Sequence, residues 1–469
     1  MAVEGAGLVW FRRDLRDFDH AALAAALAAH DRVHCAFVFD TEILDPLPRD
    51  DARVTFIHDC VAELDRALRT RGGGLHVLHG AACDEIPRLA RALGAEAVFI
   101  ARDYEPDAVA RDEAVGRQLR ESGIVLRGFK DQVVFEVDEI LTAAGKPYAV
   151  FTPYRSAWLA RLAPQHVAPR EVEPRPGQLA PGGELPGLES LGFRRAALPI
   201  EAGMSGARRA WAGFQDRIAG YAESRDFPAR EATSGLSPHL RFGTLSVREL
   251  VRFARGRRSA GAQAWLSELA WREFYFAALS VRPDSVDHAW RREFDALPWE
   301  DDEAGWQAWT QGRTGYPIVD AAMRELAKRG TLHNRLRMVV ASFLVKDLGL
   351  DWRRGERWFA ERLLDYDQAA NVGNWQWCAS TGSDAQPWFR IFNPVTQSKR
   401  FDPEGEYIRA WVPELARVPS KHLHAPWIMS AAEQRAAGCI VGVDYPPPHV
   451  DHAEARRRAL ARFESIRPS

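Results

Sequence analysis

The chain has 469 residues, of which 46% are hydrophobic and 27% charged, and its formal net charge is −2 at pH 7. This length and composition predict a soluble globular protein with two domains. No apolar run approaches the ~20 residues of a transmembrane helix, and the first residues do not form a secretory signal. The five cysteines are scattered without a Cys-x-x-Cys pair, which argues against a disulfide framework and a zinc site. We therefore expect a cytoplasmic protein that holds no metal.

Short apolar runs alternate with helical patterns over residues 1–130. The strand candidates are Gly7–Phe11, Val33–Asp40, Leu75–His79, Ala97–Ala101 and Ile124–Leu126. The helix candidates between them are Ala21–His30, Ala52–Arg69, Asp84–Leu93 and Asp107–Glu121. This alternation predicts a Rossmann-like α/β domain with a parallel sheet covered by helices. It contains no G-x-G-x-x-G and no P-loop sequence, so a dinucleotide or NTP site is not indicated there.

The remainder of the chain has a different character. Proline and glycine are concentrated in residues 164–200, and we predict an interdomain linker over residues 131–204. From residue 205 the apolar spacing is mostly helical, so an all-helical domain is predicted over residues 205–469. Of the 16 tryptophans, 14 lie beyond residue 200. Because tryptophans form stacking platforms as well as cores, the search for a binding site concentrates on this part.

The most informative run is residues 363–394, LLDYDQAANVGNWQWCASTGSDAQPWFRIFNP. It places Asp365 and Asp367 just before Asn371 and the Trp-Gln-Trp of residues 375–377. Aromatic rings beside fixed polar groups suit a flat ligand with polar edges, such as a flavin. The run closely resembles the flavin-binding segment of the DNA photolyase/cryptochrome family, in the form typical of the branch that repairs cyclobutane pyrimidine dimers (CPDs).

The resemblance extends over nearly the whole chain, from LVWFRRDLRDFDH at residues 8–20, through VFTPYRSAWL at 150–159, to YPPPHVDHAEARRRAL at 445–460. It implies an α/β antenna domain followed by a helical domain that binds FAD noncovalently. It also implies a blue-light DNA-repair enzyme, a deoxyribodipyrimidine photo-lyase. In this family the excited FADH⁻ donates an electron to a flipped-out dimer, the dimer splits, and the electron returns. We expect a monomer whose partner is UV-damaged DNA and which associates with the nucleoid when bound.

A loop of small and hydroxyl residues lies in the string TSGLSPHLRFGTLS. By itself the loop is either an ordinary N-capped turn or an anion-binding turn. The longer string resembles the loop of the family that binds the FAD phosphates, and Tyr221 would bound the phosphates. Arg225 matches an arginine that meets DNA. The loop residues are Thr233, Ser234, Gly235, Leu236 and Ser237.

The segment WLSELAWREFY at residues 265–275 places four polar or aromatic residues at helical spacing on one face: Glu268, Trp271, Arg272 and Tyr275. Such a face also suits a domain-interface helix with a Glu–Arg pair. The resemblance implies that Glu268 accepts hydrogen bonds from the flipped pyrimidines and Trp271 stacks on the dimer. Arg272 and Trp265 would contact the flavin or the wall of its pocket, and Tyr275, like Arg272, is expected to meet DNA.

The segment LHNRLRM at residues 332–338 discriminates between two lesions. The resemblance implies that Arg337 pairs with Asp365 and that Met338 touches the dimer, while Asn334 and Arg335 meet flavin and DNA. The (6-4) branch of the family instead places histidines for proton transfer to the lesion. His333 is present, but the surrounding residues fit the CPD pattern.

Residues near the flavin ring are implied in the same way. Asn371 would face the flavin N5, and Asp367 would face the polar pyrimidine edge of the ring. Tyr366 is expected to belong to the cofactor-binding residues. Trp377 would contact the dimer. Three tryptophans match the electron-transfer chain of the family, although each also suits core packing: Trp375, Trp352 and Trp299.

Two matters stay open at this level. A second chromophore is possible in the family, and its identity here, deazaflavin, folate or flavin, is not fixed: Glu105 fits a folate-type glutamate, but Asp287 occupies the place of the accompanying lysine. The function also has alternatives, a blue-light sensory cryptochrome or a (6-4) photolyase. The chain keeps Glu268, Trp271 and Met338, which a receptor does not need.

Overall fold

A computed structural model describes residues 3–466. Contacts divide the chain into two compact units. The first, which we call the sheet unit, comprises the described residues up to Ala219 together with Ser234–Pro283. The second, the helical unit, comprises Gly220–Thr233 and the described residues from Asp284 onward.

The sheet unit is built on one parallel sheet. Within the described residues the strands are β1 Val3–Phe11, β2 His30–Asp40, β3 Leu75–Gly80, β4 Ala95–Ala101 and β5 Val125–Phe129. Their order is β3-β2-β1-β4-β5, and every neighbouring pair is parallel. The predicted α/β class is therefore confirmed. The strand β2 begins at His30 rather than Val33, because the preceding helix runs directly into it.

Helices connect these strands and make up most of the remaining chain. The α-helices are α1 Ala21–Ala29, α2 Thr41–Leu44, α3 Ala52–Thr70, α4 Ala82–Ala92, α5 Pro106–Glu121, α6 Phe151–Arg161, α7 Gly203–Arg217, α8 Tyr221–Ser224, α9 Ser237–Arg241, α10 Val247–Arg255, α11 Ala260–Val281, α12 Glu303–Thr310, α13 Pro317–Arg329, α14 Asn334–Ser342, α15 Trp352–Arg362, α16 Gln368–Ala379, α17 Pro394–Phe401, α18 Glu406–Trp411, α19 Ser420–Leu423, α20 Ala431–Ala437 and α21 His452–Glu464. A π-helical segment, Phe343–Asp347, continues α14.

Each unit has its own apolar core. In the sheet unit, alternate residues of β1, such as Leu8 and Trp10, pack with Ile86 of α4 and Val115 of α5 on one face of the sheet. In the helical unit a large cluster joins residues of α12 to α16, including Trp309 and Trp375. The predicted helical character of the C-terminal part is confirmed.

The compact units do not follow the limits 1–130, 131–204 and 205–469 expected from the sequence. Residues 205–219 and 234–283 belong to the sheet unit. One reason is a buried charge network in which Arg16 of the β1–α1 loop and Arg248 of α10 both bind Asp131. Burial alone would raise the pKa of Asp131, but the two guanidinium groups hold it well below its usual range. Removing one partner of such a network is costly, so helix α10 is fastened to this unit.

Candidate functional site

Helix α16 carries the centre of the run that is most informative in the sequence. Asp367 precedes its first residue and caps the helix, because the Asp367 side chain accepts a hydrogen bond from the backbone N–H of Ala370 at 3.1 Å. Asn371, Trp375 and Cys378 follow at helical spacing and are buried. The helix is followed by Ser380, which adopts a left-handed conformation with φ of 66°. The sequence thus presents an amide and an indole from one face of a well-capped helix.

The amide of Asn371 has a fixed orientation. Its Nδ2 donates to the backbone carbonyl of Glu356 at 3.1 Å and to Glu356 Oε1 at 2.9 Å. Because both partners are acceptors only, the NH₂ group must face Glu356 and the carbonyl oxygen must point the other way. Asn371 is therefore prepared to accept a hydrogen bond from an N–H group on its other side.

Glu356 is a residue that the sequence did not indicate. Its carboxylate also accepts a hydrogen bond from the Tyr366 hydroxyl at 3.3 Å. Burial raises the pKa of Glu356, and the hydrogen bonds from Asn371 and Tyr366 counteract this. No motif marks Glu356, because it lies 15 residues before Asn371 on a different helix.

The structure brings together Arg337 and Asp365, as the resemblance implied. Arg337 Nη2 lies 3.0 and 2.8 Å from the two carboxylate oxygens of Asp365, and its Nε donates to the carbonyl of Leu332 at 2.8 Å. Asp365 is buried, with 9% of its surface exposed. The ion pair thus joins α14 to the segment before α16.

Around the start of α14 the predicted residues are more open. Asn334 is exposed, and its amide approaches Met338 Sδ at 3.9 Å. Arg335 pairs with Asp226 at 3.0 Å, so part of its charge is already compensated. Its guanidinium also lies over the ring of Phe401, at 4.4 Å from the centroid.

Tyr221, Arg225 and His333 complete this region of the helical unit. Tyr221 is buried, and the guanidinium of Arg225 lies over its ring at 5.4 Å. Burial lowers the pKa of His333 to about 4, so its imidazole is neutral at pH 7. Thr233 is exposed at the end of this segment.

The three tryptophans expected to carry electrons all belong to the aromatic core of the helical unit. Trp375 and Trp352 are buried within the cluster, and Trp299 packs against it. Gly355 lies so close to the ring of Trp375 that a β-carbon there would collide with it. Trp377 is half-buried beside the same cluster.

The remaining predicted side chains lie in the sheet unit, mostly on α11. Trp265 is buried and stacks on Trp211 with a centroid distance of 5.3 Å. Trp271 lies parallel to Phe151 at 3.6 Å, so one face of its indole is covered. Glu268 is half-buried, while Tyr275 is buried and stacks on Trp271 at 5.4 Å.

Two neighbouring residues of α11 bind backbone groups of the same unit. Arg272 donates to the carbonyl of Gln132 at 2.5 Å and to that of Leu240 at 3.4 Å. The buried carboxylate of Glu273 accepts from three N–H groups, those of Val134, Phe135 and the Trp158 indole, at 2.6 to 2.9 Å. Burial raises the pKa of Glu273 to about 7, although these hydrogen bonds oppose the rise. The sequence did not single out Glu273, whose partners lie far away along the chain.

The hydroxyl-rich loop leads directly into α9. The N–H of Leu236 bonds to Ser234 Oγ at 3.4 Å, and Gly235 has a φ of 65°, which favours glycine. Ser237 is exposed at the first position of the helix. The loop therefore combines an exposed hydroxyl, a helix start and a left-handed glycine, a combination compatible with binding an anion.

The two residues relevant to an antenna differ in their surroundings. Glu105 forms ion pairs with Arg13, at 3.0 Å, and with Arg241 in the sheet unit. Asp287 is exposed in the helical unit. The carboxylate of Glu105 therefore already has protein partners.

Within residues 3–466, no group of three or more His, Cys, Asp or Glu side chains could hold a metal ion. None of the helices described there is long and apolar enough to cross a membrane.

Comparisons with known proteins match the chain from end to end. Residues 7–175 match the family model described as DNA photolyase, and residues 265–465 match the FAD binding domain of DNA photolyase. FAD is therefore the cofactor expected for residues 265–465. A deoxyribodipyrimidine photo-lyase of Vibrio cholerae is 42% identical over 474 residues, covering 98% of this chain and 99% of the relative.

Two solved structures also superpose on nearly the whole chain. A bacterial class III photolyase from Agrobacterium tumefaciens superposes with a TM-score of 0.90 at 38% identity, covering 99% of this chain and 98% of the other. A cryptochrome of Synechocystis sp. PCC6803 superposes with a TM-score of 0.87 at 29% identity, covering 98% of this chain and all of the other.

Proposed function

Because the chain belongs to the DNA photolyase family, we propose that it is a light-driven deoxyribodipyrimidine photo-lyase that splits cyclobutane pyrimidine dimers in DNA. The observation that carries the proposal is the fixed amide of Asn371, whose NH₂ group is held by Glu356. The carbonyl oxygen that remains would accept a hydrogen bond from the N–H at N5 of a reduced flavin, and it has no proton to give. Such a partner favours the reduced, electron-donating form of the cofactor.

The residues proposed to bind FAD fit this cofactor by their chemistry. The cofactor, once bound, supplies a light-driven electron donor, and the protein supplies orientation and electrostatics. Arg337 and Asp365 place a braced ion pair next to α16, and the loop at Ser237 offers donors of the kind that bind phosphate. We propose the following FAD contacts: Tyr221, Thr233, Ser234, Gly235, Leu236, Ser237, Trp265, Arg272, Asn334, Arg337, Asp365, Tyr366, Asp367 and Asn371.

Lesion binding is assigned to a second set of side chains. Glu268 would accept hydrogen bonds from the base edges, and Trp271, backed on one face by Phe151, would stack on the dimer. We propose that Met338 and Trp377 touch the dimer and that the cations meet DNA phosphates. The full set proposed for DNA is Arg225, Glu268, Trp271, Arg272, Tyr275, Asn334, Arg335 and Trp377.

The neutral state of the His333 imidazole favours the CPD over the (6-4) lesion as the substrate. Repair of a (6-4) lesion in this family relies on histidines that transfer a proton. His333 is partly buried and neutral, with a pKa lowered to about 4, so it is a poor proton donor at pH 7. Splitting a cyclobutane ring by electron transfer needs no such donor.

The decisive experiment is repair of a thymine CPD oligonucleotide by chemically reduced protein, in blue light and in the dark, with a (6-4) oligonucleotide alongside. We expect light-dependent recovery of thymines from the CPD alone. Glu268→Gln should slow this repair while FAD stays bound, and Glu231→Gln, at an exposed position, is the matched control.

The similarity to a cryptochrome supports one alternative, a sensory protein. That alternative predicts bound, reducible flavin without repair of either lesion. Repair of the (6-4) substrate would instead contradict the assignment of the lesion.

A further inference from the structure

The indole of Trp271 on α11 is covered by a ring from another helix. Phe151, the first residue of α6, lies parallel to it, with an interplanar angle of 11° and ring centroids 3.6 Å apart. Phe151 is buried, whereas Trp271 is only partly buried. Because the phenyl ring occupies one face of the indole, another flat group can stack only on the opposite face.

This face-to-face contact is not the arrangement that two aromatic rings favour by themselves. Because 3.6 Å is about the contact distance of two carbon atoms, the rings of Phe151 and Trp271 have little lateral offset. Ring quadrupoles favour offset or edge-to-face arrangements over such a sandwich. Phe274 makes the favoured edge-to-face contact with the same indole, at 5.6 Å and 82°. The sandwich at Phe151 therefore indicates that the fold imposes the orientation of the two rings.

Helix α6 is fixed to the rest of the sheet unit at two further levels. Arg155 Nε donates to Ser267 Oγ of α11 at 2.7 Å. The Trp158 indole N–H donates to the buried carboxylate of Glu273, also on α11, at 2.7 Å. These bonds lie one and two turns beyond Phe151 on α6. Since they hold the two helices in one register, the backbone of Phe151 has a fixed place beside the indole.

We infer that Phe151 is a positioning residue for binding of the lesion: it fixes the plane of Trp271 and leaves one face of the indole for a flipped pyrimidine. This role rests on the proposed function, because it needs Trp271 to stack on the dimer. A ring that is already oriented loses little side-chain entropy on binding, and preorganisation of this kind raises affinity. Phe151 acts through Trp271 and needs no contact of its own with DNA.

The first variant is Phe151→Leu, which keeps an apolar side chain but removes the flat ring. The affinity of the holoprotein for an oligonucleotide with one thymine CPD, measured in the dark by fluorescence anisotropy, should fall about two- to tenfold, the range that corresponds to one aromatic pair. Affinity for the undamaged oligonucleotide should not change. The repair rate of chemically reduced protein at saturating CPD should also stay the same. Phe151→Tyr restores the ring and should restore the affinity for the CPD.

A double-mutant cycle separates positioning from plain packing. Trp271→Ala removes the stacking indole, and adding Phe151→Leu should then cause no further loss of affinity for the CPD. A purely structural Phe151 would cause the same loss in both backgrounds, and that result would overturn the inference. An unchanged affinity in Phe151→Leu alone would do so as well.

Phe135→Leu is the matched control, because Phe135 is a buried ring of the same unit that meets a different indole, that of Trp158, at 5.9 Å. It should leave the affinity for the CPD unchanged, and an equal loss in Phe135→Leu and Phe151→Leu would contradict the positioning role. Thermal unfolding and FAD content are compared for all variants. Should Phe151→Leu fail to fold, Phe151→Met takes its place, because a flexible methionine fills irregular gaps in a core.

Failure of the proposed function gives a different pattern from failure of the positioning role. If the parent protein does not repair the CPD in blue light, the enzymatic assignment is wrong, whereas the binding cycle still decides the role of Phe151. If Trp271→Ala alone leaves the affinity for the CPD unchanged, the positioning role is wrong even in a protein that repairs.

Discussion

Helices α11 and α16 both carry polar residues among aromatic ones, yet they use them differently. On α11, Arg272 and Glu273 bind backbone groups of segments far away in the sequence. On α16, Asn371 binds a single side-chain and backbone partner, Glu356, and presents its remaining oxygen elsewhere. The hydrogen bonds on α11 stabilise the packing of the sheet unit, and those on α16 fix the orientation of the Asn371 amide.

Glu273→Leu should have the largest effect on stability. It leaves three buried N–H donors without an acceptor, at a cost of about 1–3 kcal/mol each, so a loss of at least about 3 kcal/mol is expected. The control is Ser280→Leu, at an exposed position of the same helix, whose free energy of unfolding should stay within about 0.5 kcal/mol of that of the parent protein. Denaturant unfolding of both variants measures these free energies. Equal losses in the two variants would contradict a structural role for Glu273.

The same carboxylate should make stability depend on pH. Its pKa is raised from 4.5 to about 7 by burial, so the folded protein binds a proton that the unfolded chain has released. Its contribution is therefore present below about pH 4.5 and is lost as pH rises toward 7, by up to about 3 kcal/mol. When the free energy of unfolding is plotted against pH over this range, the parent protein and Glu273→Gln should show different slopes. Parallel curves would show that Glu273 stays ionised.

Gly355→Ala tests the packing behind α16. A β-carbon at this position runs into the rings and methyl groups of Trp375 and Leu344, and overpacking of this kind costs about 1–3 kcal/mol. Gly213 is also inside a helix, but a β-carbon there meets only the end of Arg217 at an ordinary 3.5 Å. Gly213→Ala should therefore be neutral or stabilise slightly. Thermal unfolding of the two variants makes the comparison, and a smaller loss at Gly355 than at Gly213 would contradict it.

Glu356→Leu tests the orientation of the Asn371 amide. The backbone carbonyl of residue 356 still accepts one hydrogen bond from the amide, but the side-chain acceptor is gone and the amide can turn more easily. The lost hydrogen bond is worth about 1 kcal/mol, roughly a fivefold fall in repair rate. Glu356→Gln retains a side-chain acceptor and should lose less. Repair rates of chemically reduced protein measure both, with the FAD content as control. Equal rates in all three proteins would remove Glu356 as a positioning residue.

Arg335→Ala should have the smallest effect, on DNA binding alone. It should weaken binding to all sequences and lower the slope of log affinity against log salt by about 1. Asp226→Asn should have the opposite effect on affinity, because it removes the carboxylate that compensates Arg335. Titrations at several salt concentrations check both, and an unchanged slope in Arg335→Ala would exclude a phosphate contact.

The sequence by itself determined the local elements and the family. Periodicity located the five strands because each is a short apolar run between helices, and the run around Asn371 indicated a flavin because its residue types lie close together in the chain. Even the pair of Arg337 and Asp365 was expected, since the family pattern names both residues.

Only the tertiary structure decided the partners that lie far apart in the chain. Glu273 is 139 residues from Val134, and Glu356 meets Asn371 from another helix. Trp309 and Trp375 likewise come into contact only because α12 and α16 pack in one core. Hydrogen-bond direction and ring contact depend on distances of a few ångströms, which residue spacing along a chain does not encode. The same physics assigned α11 to the sheet unit, because buried carboxylates must find their donors wherever the fold places them.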